Sequence, residues 1–336
     1  MEETKQTARQ KRIEKLKAEL IKQQDIAEEA QKKISQTMLQ LAKEERSFVI
    51  PSELAKATTR TMGPMDDVFF NKMGEDKEAI GEVISTVLGI PITVRELVPQ
   101  YTLSGIGNRG VRLDAFAAVL PEFLVTVELG SDCYLGKKGA MIDIEVQKED
   151  KDDHEYRVYY NGASIVVNNT PRGTKKFADI QRAVVIYISA FDVFGEGEMY
   201  YEIGKFSKKS MTPRRSPVTE IYINTAYEDR SDLRMSRIAD LMKVFKDPER
   251  YDFDEFPEFS RRKKELKETE EGVLEVSSEY QKVIDEEKAK EANDTLKLTV
   301  YLMKNGRDED IEKAEKDPFY LKELLADFRS GMLVAN

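Results

Sequence analysis

The segment Ile142-Asp143-Ile144-Glu145-Val146-Gln147 alternates apolar and polar residues without a break. A period of two sorts these residues onto the two faces of a β-strand, whereas a helix would scatter them around its axis. Ile142, Ile144 and Val146 then face one way, and Asp143, Glu145 and Gln147 the other. Upstream, Val111-Arg112-Leu113-Asp114-Ala115-Phe116 makes a second short strand that sets an acid among apolar residues. If the two strands are neighbours, Asp114 and Glu145 converge. Two adjacent carboxylates repel each other, and a divalent cation removes that penalty. Oxygen ligands of this kind suit Mg²⁺ or Mn²⁺. The alternation by itself favours a structural strand with one solvated face.

Around this segment the chain reads as an α/β core with helical extensions at both ends. Residues 1–47 contain no Gly or Pro and read as one long helix. Ile13, Leu16, Leu20, Ala27, Ala30, Ile34 and Leu41 fall on a 3–4 spacing, with Gln23 and Thr37 at two seam positions. That pattern fits a coiled-coil arm joining a homo-oligomer, a dimer in the simplest case, and fits equally a helix lying on its own domain. Residues 48–65, with Pro51 and the Thr58–Pro64 stretch, read as a linker. Residues 66–88 form an apolar-periodic helix (Phe69, Phe70, Met73, Ile80, Val83, Ile84, Val87, Leu88) stopped by Gly89 and Pro91. Strands are expected over Val111–Leu120, Phe123–Leu129 and Ala140–Gln147, then a helix over His154–Val166. Further strands are expected over Val184–Phe194, Glu198–Lys205 and Val218–Asn224, giving the order α-β-β-β-α-β-β-β for a core spanning 66–232. Residues 233–336 read as a helical C-terminal region, with a short helical pair, Leu296–Met303 and Tyr320–Phe328, around Asn305-Gly306.

Bulk properties exclude several function classes. The 336 residues carry a formal charge of -10, so nucleic acid can be held only by local basic patches. Cys133 is the one cysteine and His154 the one histidine, which leaves no room within one chain for a Cys/His zinc site or for Cys–His or Ser–His catalysis. A single cysteine fits a reducing compartment. No apolar run approaches the roughly 20 residues a bilayer requires, and the charged N-terminus lacks the apolar core of a signal peptide. A cytoplasmic protein without membrane attachment is the expectation. Gly105-x-Gly107 is too loose for a nucleotide loop and no Lys-Ser/Thr follows it.

The order Asp114, a gap able to hold a hairpin, Glu145-x-Gln147 at a strand end, then a helix with Arg157 and Tyr159-Tyr160 resembles the PD-(D/E)XK nucleases. More narrowly, it resembles the bacterial recombination-promoting nuclease and transposase-like family (Rpn-like). Asp66-Asp67-Val68-Phe69-Phe70 and the helix ending at Leu88-Gly89 look like that family's opening helix. Val184–Gly195 and Ile221-Tyr222-Ile223-Asn224-Thr225 look like its later strands, so the resemblance covers roughly residues 66–245. It implies a restriction-endonuclease-like core, a mixed central sheet flanked by helices, and a metal-dependent DNA endonuclease connected with recombination or mobile elements. Asp114 and Glu145 would ligate Mg²⁺ or Mn²⁺, which lowers the pKa of a bound water and stabilises charge developing on the phosphate. Gln147 occupies the place of the motif lysine; a neutral amide orients a water but supplies no positive charge. Glu82 is the candidate acid from the first helix, although its helical phase opposes the apolar stripe. Asp143 is on the site's face as a supporting acid.

For contact with the scissile strand the candidates are Arg157 and Tyr160, and Arg157 reads equally as half of an ion pair with an acid in Asp150–Glu155. Lys175 and Lys176, with Arg172, form one basic segment. Lys208 and Lys209 belong to another, Gly204–Pro217, which also holds Lys205, Arg214 and Arg215 and no acid. A third cluster is Arg261–Lys264. Each suits phosphate, and each alone also suits a solvated surface. His154, beside an acidic run, is expected to be an exposed bystander. The second functional reading is the same core without catalysis, a nucleic-acid- or protein-binding module assembled through its helical arms.

Overall fold

A computed structural model describes residue 15 and residues 52–103, 111–121, 139–150, 153–177 and 180–333. The helix expected over residues 1–47 and the strand expected over Phe123–Leu129 lie outside the described residues. One compact unit is Ser52–Ser277; Ser278–Asn336 belongs to a second. The first opens with α1 (Ser52–Thr61), α2 (Asp67–Met73) and α3 (Lys77–Leu88). β1 (Ile92–Leu103), β2 (Val111–Pro121) and β3 (Ala140–Gln147) follow, then α4 (His154–Asn168) and β4 (Arg182–Ser189). β5 (Tyr200–Ile203), β6 (Lys205–Ser207), β7 (Thr212–Arg214) and β8 (Val218–Asn224) precede α5 (Leu233–Lys246) and α6 (Pro257–Glu268).

The main sheet has six strands in the order β1-β2-β3-β4-β8-β5, and β6-β7 form a separate hairpin. β1, β2 and β3 run antiparallel in turn, β3, β4 and β8 run parallel, and β5 lies antiparallel on β8. Helix α4 makes the crossover that parallel β3 and β4 require. Gly162 permits its close approach to the sheet: a Cβ there would meet Val218 Cγ1 at 2.5 Å. On the α4 side, Val158 packs with Val185, Tyr187 and Tyr222. Ile142, Ile144, Val184, Ile186 and Ile188 are fully buried as well, so the parallel centre of the sheet is covered on both faces.

Several expectations change. The helix expected over 66–88 is two helices, because Gly74 closes α2 and Asp76 caps α3 by accepting from Ala79 N–H at 2.9 Å. The left-handed Gly89, at φ 69°, ends α3 as expected. Residues 52–61, read as linker, are helical and carry buried Thr58 and Thr59. β1 was hidden in the sequence by Arg95, Glu96 and Pro99. An edge strand tolerates all three, and a register shift between Val94 and Glu96 absorbs the irregularity.

Residues 233–277 belong to the core unit rather than to a separate helical region. α5 buries Met235, Ile238, Leu241, Val244 and Phe245, and Phe245 stacks on Phe259 of α6 with ring centroids 4.7 Å apart. The Arg261–Lys264 cluster is structural. Lys263 is buried and donates to the carbonyls of Val244, Asp247 and Arg250 at 2.6–2.8 Å, closing the end of α5. Arg261 pairs with Asp76, and Arg262 with Glu275.

α7 (Glu270–Lys304) leads into the second unit, where α8 (Asp308–Lys316) and α9 (Pro318–Ser330) follow. There Leu298, Leu302, Leu324 and Leu325 make a small core with Tyr301, Ile311 and Tyr320, as the expected helical pair requires. Among the described residues no helix is long and apolar enough to cross a membrane.

Candidate acidic site on strands β2 and β3

The β2–β3 register pairs Ala115 with Ile144 and Phe116 with Asp143. Continued by one residue, it sets Asp114 directly across from Glu145, with both side chains on one face. The two acids interlock through the backbone. Asp114 N–H donates to Glu145 Oε1 at 3.3 Å, and Val146 N–H donates to Asp114 Oδ2 at 3.4 Å. Asp143, two residues back on the same face, is fully buried, and Glu145 is 1 % exposed. The polar face of β3 is therefore not a solvated face, because α4 lies over it.

α4 supplies what compensation there is. Arg157 Nη2 donates to Glu145 Oε2 at 2.7 Å, and Nη1 donates to Gln147 Oε1 at 3.3 Å. The Gln147 amide donates to Glu149 O at 3.0 Å. Asn161 donates to Asp143 Oδ2 at 3.4 Å, while Asp143 Oδ1 has no hydrogen-bond partner. The Glu145 carboxyl lies against Asp143: on top of burial, the charges of Glu145 and Asp114 raise the Asp143 carboxyl, and in its neutral form it is hydrogen-bonded to Glu145.

Burial, then the charges of Glu145 and Asp67, hold the Asp114 carboxyl well above its usual range. Burial, then Glu145 and Asp114, do the same to Asp143. Glu145 is also raised by burial, although the Arg157 charge pulls against it. Burial lowers the affinity of Arg157 for its proton, but Glu145 and Asp114 outweigh that and raise it. Among the described residues no three His, Cys, Asp or Glu side chains converge as a ready-made metal cage. What the structure presents is a facing acid pair, a third acid with an orphaned oxygen, and one guanidinium.

The first-helix acid is corrected. Glu82 accepts from the Phe259 backbone N–H at 2.8 Å and so serves the start of α6, with its carboxyl raised by burial. Its helical phase, opposite the apolar stripe, carries it away from β2. The α2 acid whose charge acts on Asp114 is Asp67, in the first turn of that helix. Its neighbour Asp66 accepts from Lys148 Nζ at 3.1 Å, which ties the start of α2 to the end of β3. The Asp66-Asp67 pair opening a helix was the available signal.

His154 is corrected too. It is 8 % exposed, with Nδ1 2.7 Å from Tyr187 Oη and Nε2 3.0 Å from Asp150 Oδ1. Tyr187 is the register partner of Glu145 on β4, so this buried chain borders the acids.

Of the expected phosphate contacts, Arg157 is at the acids and Tyr160 is exposed on the same helix. Lys175, Lys176, Lys208 and Lys209 are exposed but stand elsewhere. β3, β4 and β8 share one direction, with Gln147 beside Ser189 and Ser189 beside Asn224 at one end. The four lysines lie in segments that enter β4 and β8 at the other end. At about 3.3 Å per residue, the length of β3 puts roughly 20 Å between the two ends.

No family model matches this chain, and neither a curated protein nor a solved structure matches it.

Proposed function

We propose that the acidic notch on β2 and β3 hydrolyses phosphodiester bonds of DNA, as a metal-dependent nuclease of the PD-(D/E)XK type. The observation that carries this reading is the facing of Asp114 and Glu145 across neighbouring strands, beside an Asp143 oxygen without a donor. The order of helix, three antiparallel strands, crossover helix and parallel strand supports it, because it leaves both acids on one face with α4 adjacent.

The donor set fits a hard divalent ion such as Mg²⁺ or Mn²⁺. It is all carboxylate oxygen; burial raises the proton affinity of each acid, and neighbouring carboxylates add to it at Asp114 and Asp143. Asp114 and Glu145 would hold the ion, with Asp143 behind them. Such an ion supplies an activated water and charge stabilisation at phosphate. The chain's own contribution comes from two side chains. Arg157 keeps a fixed positive charge at Glu145 that a phosphate oxygen can share, and Gln147, held by Arg157 and Glu149 O, presents an amide able to orient a water.

A second reading is also supported by a specific observation. Arg157 already engages Glu145 at 2.7 Å and Gln147 at 3.3 Å, an arrangement that serves a non-catalytic binding module equally well. Nicking of supercoiled plasmid in Mg²⁺ or Mn²⁺ separates the two. The nuclease reading expects cleavage by the wild type and its loss in Asp114→Asn. Equal cleavage by the variant, or none by the wild type alongside unmeasurable Mn²⁺ binding in calorimetry, rejects it in favour of the module.

A further inference from the structure

The two basic segments that stand away from the acids are separate in sequence but adjacent in the fold. One follows α4 and enters β4; it holds Arg172, Lys175 and Lys176. The other is the β6–β7 hairpin, which enters β8 and holds Lys208, Lys209 and Arg214. β4 and β8 are neighbouring parallel strands, so both segments arrive at the same end of the sheet, and their bases are joined by the hydrogen bond from Ala183 N–H to Pro217 O at 2.8 Å. All six cations are exposed, and none forms an ion pair among the described residues. The acids on the flanking strands are engaged elsewhere: Glu202 accepts from Tyr200 Oη and Glu220 from Tyr222 Oη. Asp179, near the first segment, lies outside the described residues. Each segment also displays a phenylalanine beside its lysines, Phe177 at 73 % exposure and Phe206 at 54 %.

In a chain of charge -10, a cationic end of this kind is a polarised surface facing a polyanion. We infer that this end of the sheet binds single-stranded nucleic acid, with the six cations on the phosphates and Phe177 and Phe206 under unpaired bases. Exposed rings interleaved with lysines suit base stacking on a backbone-tracking cationic surface. A membrane surface is the weaker fit, since lipid binding calls for a continuous apolar face of a helix and this surface offers two rings on irregular segments. The inference goes beyond the nuclease reading and does not depend on it, because this surface is at the opposite end of the sheet from Asp114 and Glu145.

The test is fluorescence anisotropy of the full chain with labelled (dT)20 in EDTA, so that no cleavage intervenes. The quadruple variant Lys175→Ser, Lys176→Ser, Lys208→Ser, Lys209→Ser is expected to bind at least tenfold more weakly. The slope of log affinity against log salt should fall by about 0.7 per cation that touches phosphate. Phe206→Ser is expected to weaken binding severalfold while leaving that slope unchanged, which separates stacking from charge. All five positions are exposed, and far-UV circular dichroism verifies the fold of each variant. Wild-type affinity in the quadruple variant overturns the inference, as does failure of the wild type to bind (dT)20. A preference for phosphatidylserine vesicles, with no competition by (dT)20, overturns it in favour of a membrane surface. Because binding is read in EDTA and cleavage in Mn²⁺, either conclusion can fail without the other.

Discussion

Replacing Asp143 by Asn should make this protein more stable at neutral pH, the reverse of the usual effect of altering a buried polar group. Asp143 is fully buried and its Oδ1 has no donor. Burial, then Glu145 and Asp114, hold its carboxyl well above the value of 3.8 it has when free. Between these two values the native state keeps a proton that the unfolded chain has released. The stability this group contributes is therefore complete below about pH 3.8 and drains away as pH rises toward the raised native value. Asparagine has no such linkage. Its oxygen can keep the Asn161 N–H, and its amide offers Glu145 a donor at every pH, whereas Asp143 does so only while it holds its proton. A buried polar group left without its partner costs about 1–3 kcal/mol, and that is the gain expected at pH 7. A unit of this length converts each kcal/mol into a rise in Tm of about 2–4 °C. Differential scanning calorimetry in chelator at pH 7 and pH 3 measures both, and the gain should shrink markedly at pH 3, where the wild-type acid is mostly neutral in both states. If Asp143→Asn is less stable than wild type by the same amount at both pH values, Asp143 is a satisfied hydrogen-bonding group and the repulsion argument is wrong.

Other outcomes follow from the same packing. Arg157→Met leaves Glu145 buried without its partner. Breaking a buried pair costs about 3–5 kcal/mol, and because Arg157 is itself half-exposed about 2 kcal/mol is expected at pH 7. The loss should lessen toward pH 5, since without the guanidinium Glu145 holds its proton to higher pH; urea denaturation at the two pH values reads it. Lys263→Met orphans three carbonyls at the end of α5 and should cost about 3 kcal/mol or more by the same assay. Gly272→Ala would set a Cβ 2.2 Å from Glu265 O, so α6 and α7 must part. With backbone on the far side, the cost belongs at the upper end of the roughly 1–3 kcal/mol typical of overpacking, seen as a lowered Tm. In Mn²⁺, the wild type should gain Tm over its value in chelator and Asp114→Asn should gain less; equal gains would place the ion elsewhere.

The strand carrying Glu145 was legible because six alternating residues admit one regular structure. The fate of its polar face was not. Alternation says that Asp143, Glu145 and Gln147 share a side, but whether water or a helix meets that side depends on where the chain after Gln147 packs. α4 covers it, and the same covering buries His154, which the sequence placed on the surface. β1 escaped because its charges and proline are tolerated only at a sheet edge, and edge position is a property of the whole sheet. The residues from 233 read correctly as helical, yet an apolar stripe does not name its partner, and Phe245 finds Phe70 and Phe259 within the core. The exchange of Glu82 for Asp67 has a similar origin: both are helical acids of the opening segment, and the break at Gly74 decides which helix approaches β2.

The charge balance of the notch bears most directly on what it is for. β4, next in the sheet, fills the equivalent face with Val185 and Tyr187, and the register sets Asp143 beside Val185 and Glu145 beside Tyr187. A sheet selected for stability alone would continue that apolar row across β3. Instead Asp114, Asp143 and Glu145 put three ionisable acids under α4, against the single full charge of Arg157 and the amide of Asn161. Fully ionised, the three acids and the arginine leave a deficit of two positive charges. Two protons can make it up, and so can one divalent cation; burial raises the proton affinity of all three acids, and the neighbouring carboxylates add to it at Asp114 and Asp143. An arrangement that destabilises the fold at a single spot, when an apolar alternative stands one strand away, is the kind of local conflict that function maintains. The competition it implies is measurable: Mn²⁺ binding should release protons and weaken as pH falls through the raised carboxyl values, whereas a cluster serving only as a hydrogen-bonded core would take up no ion at any pH.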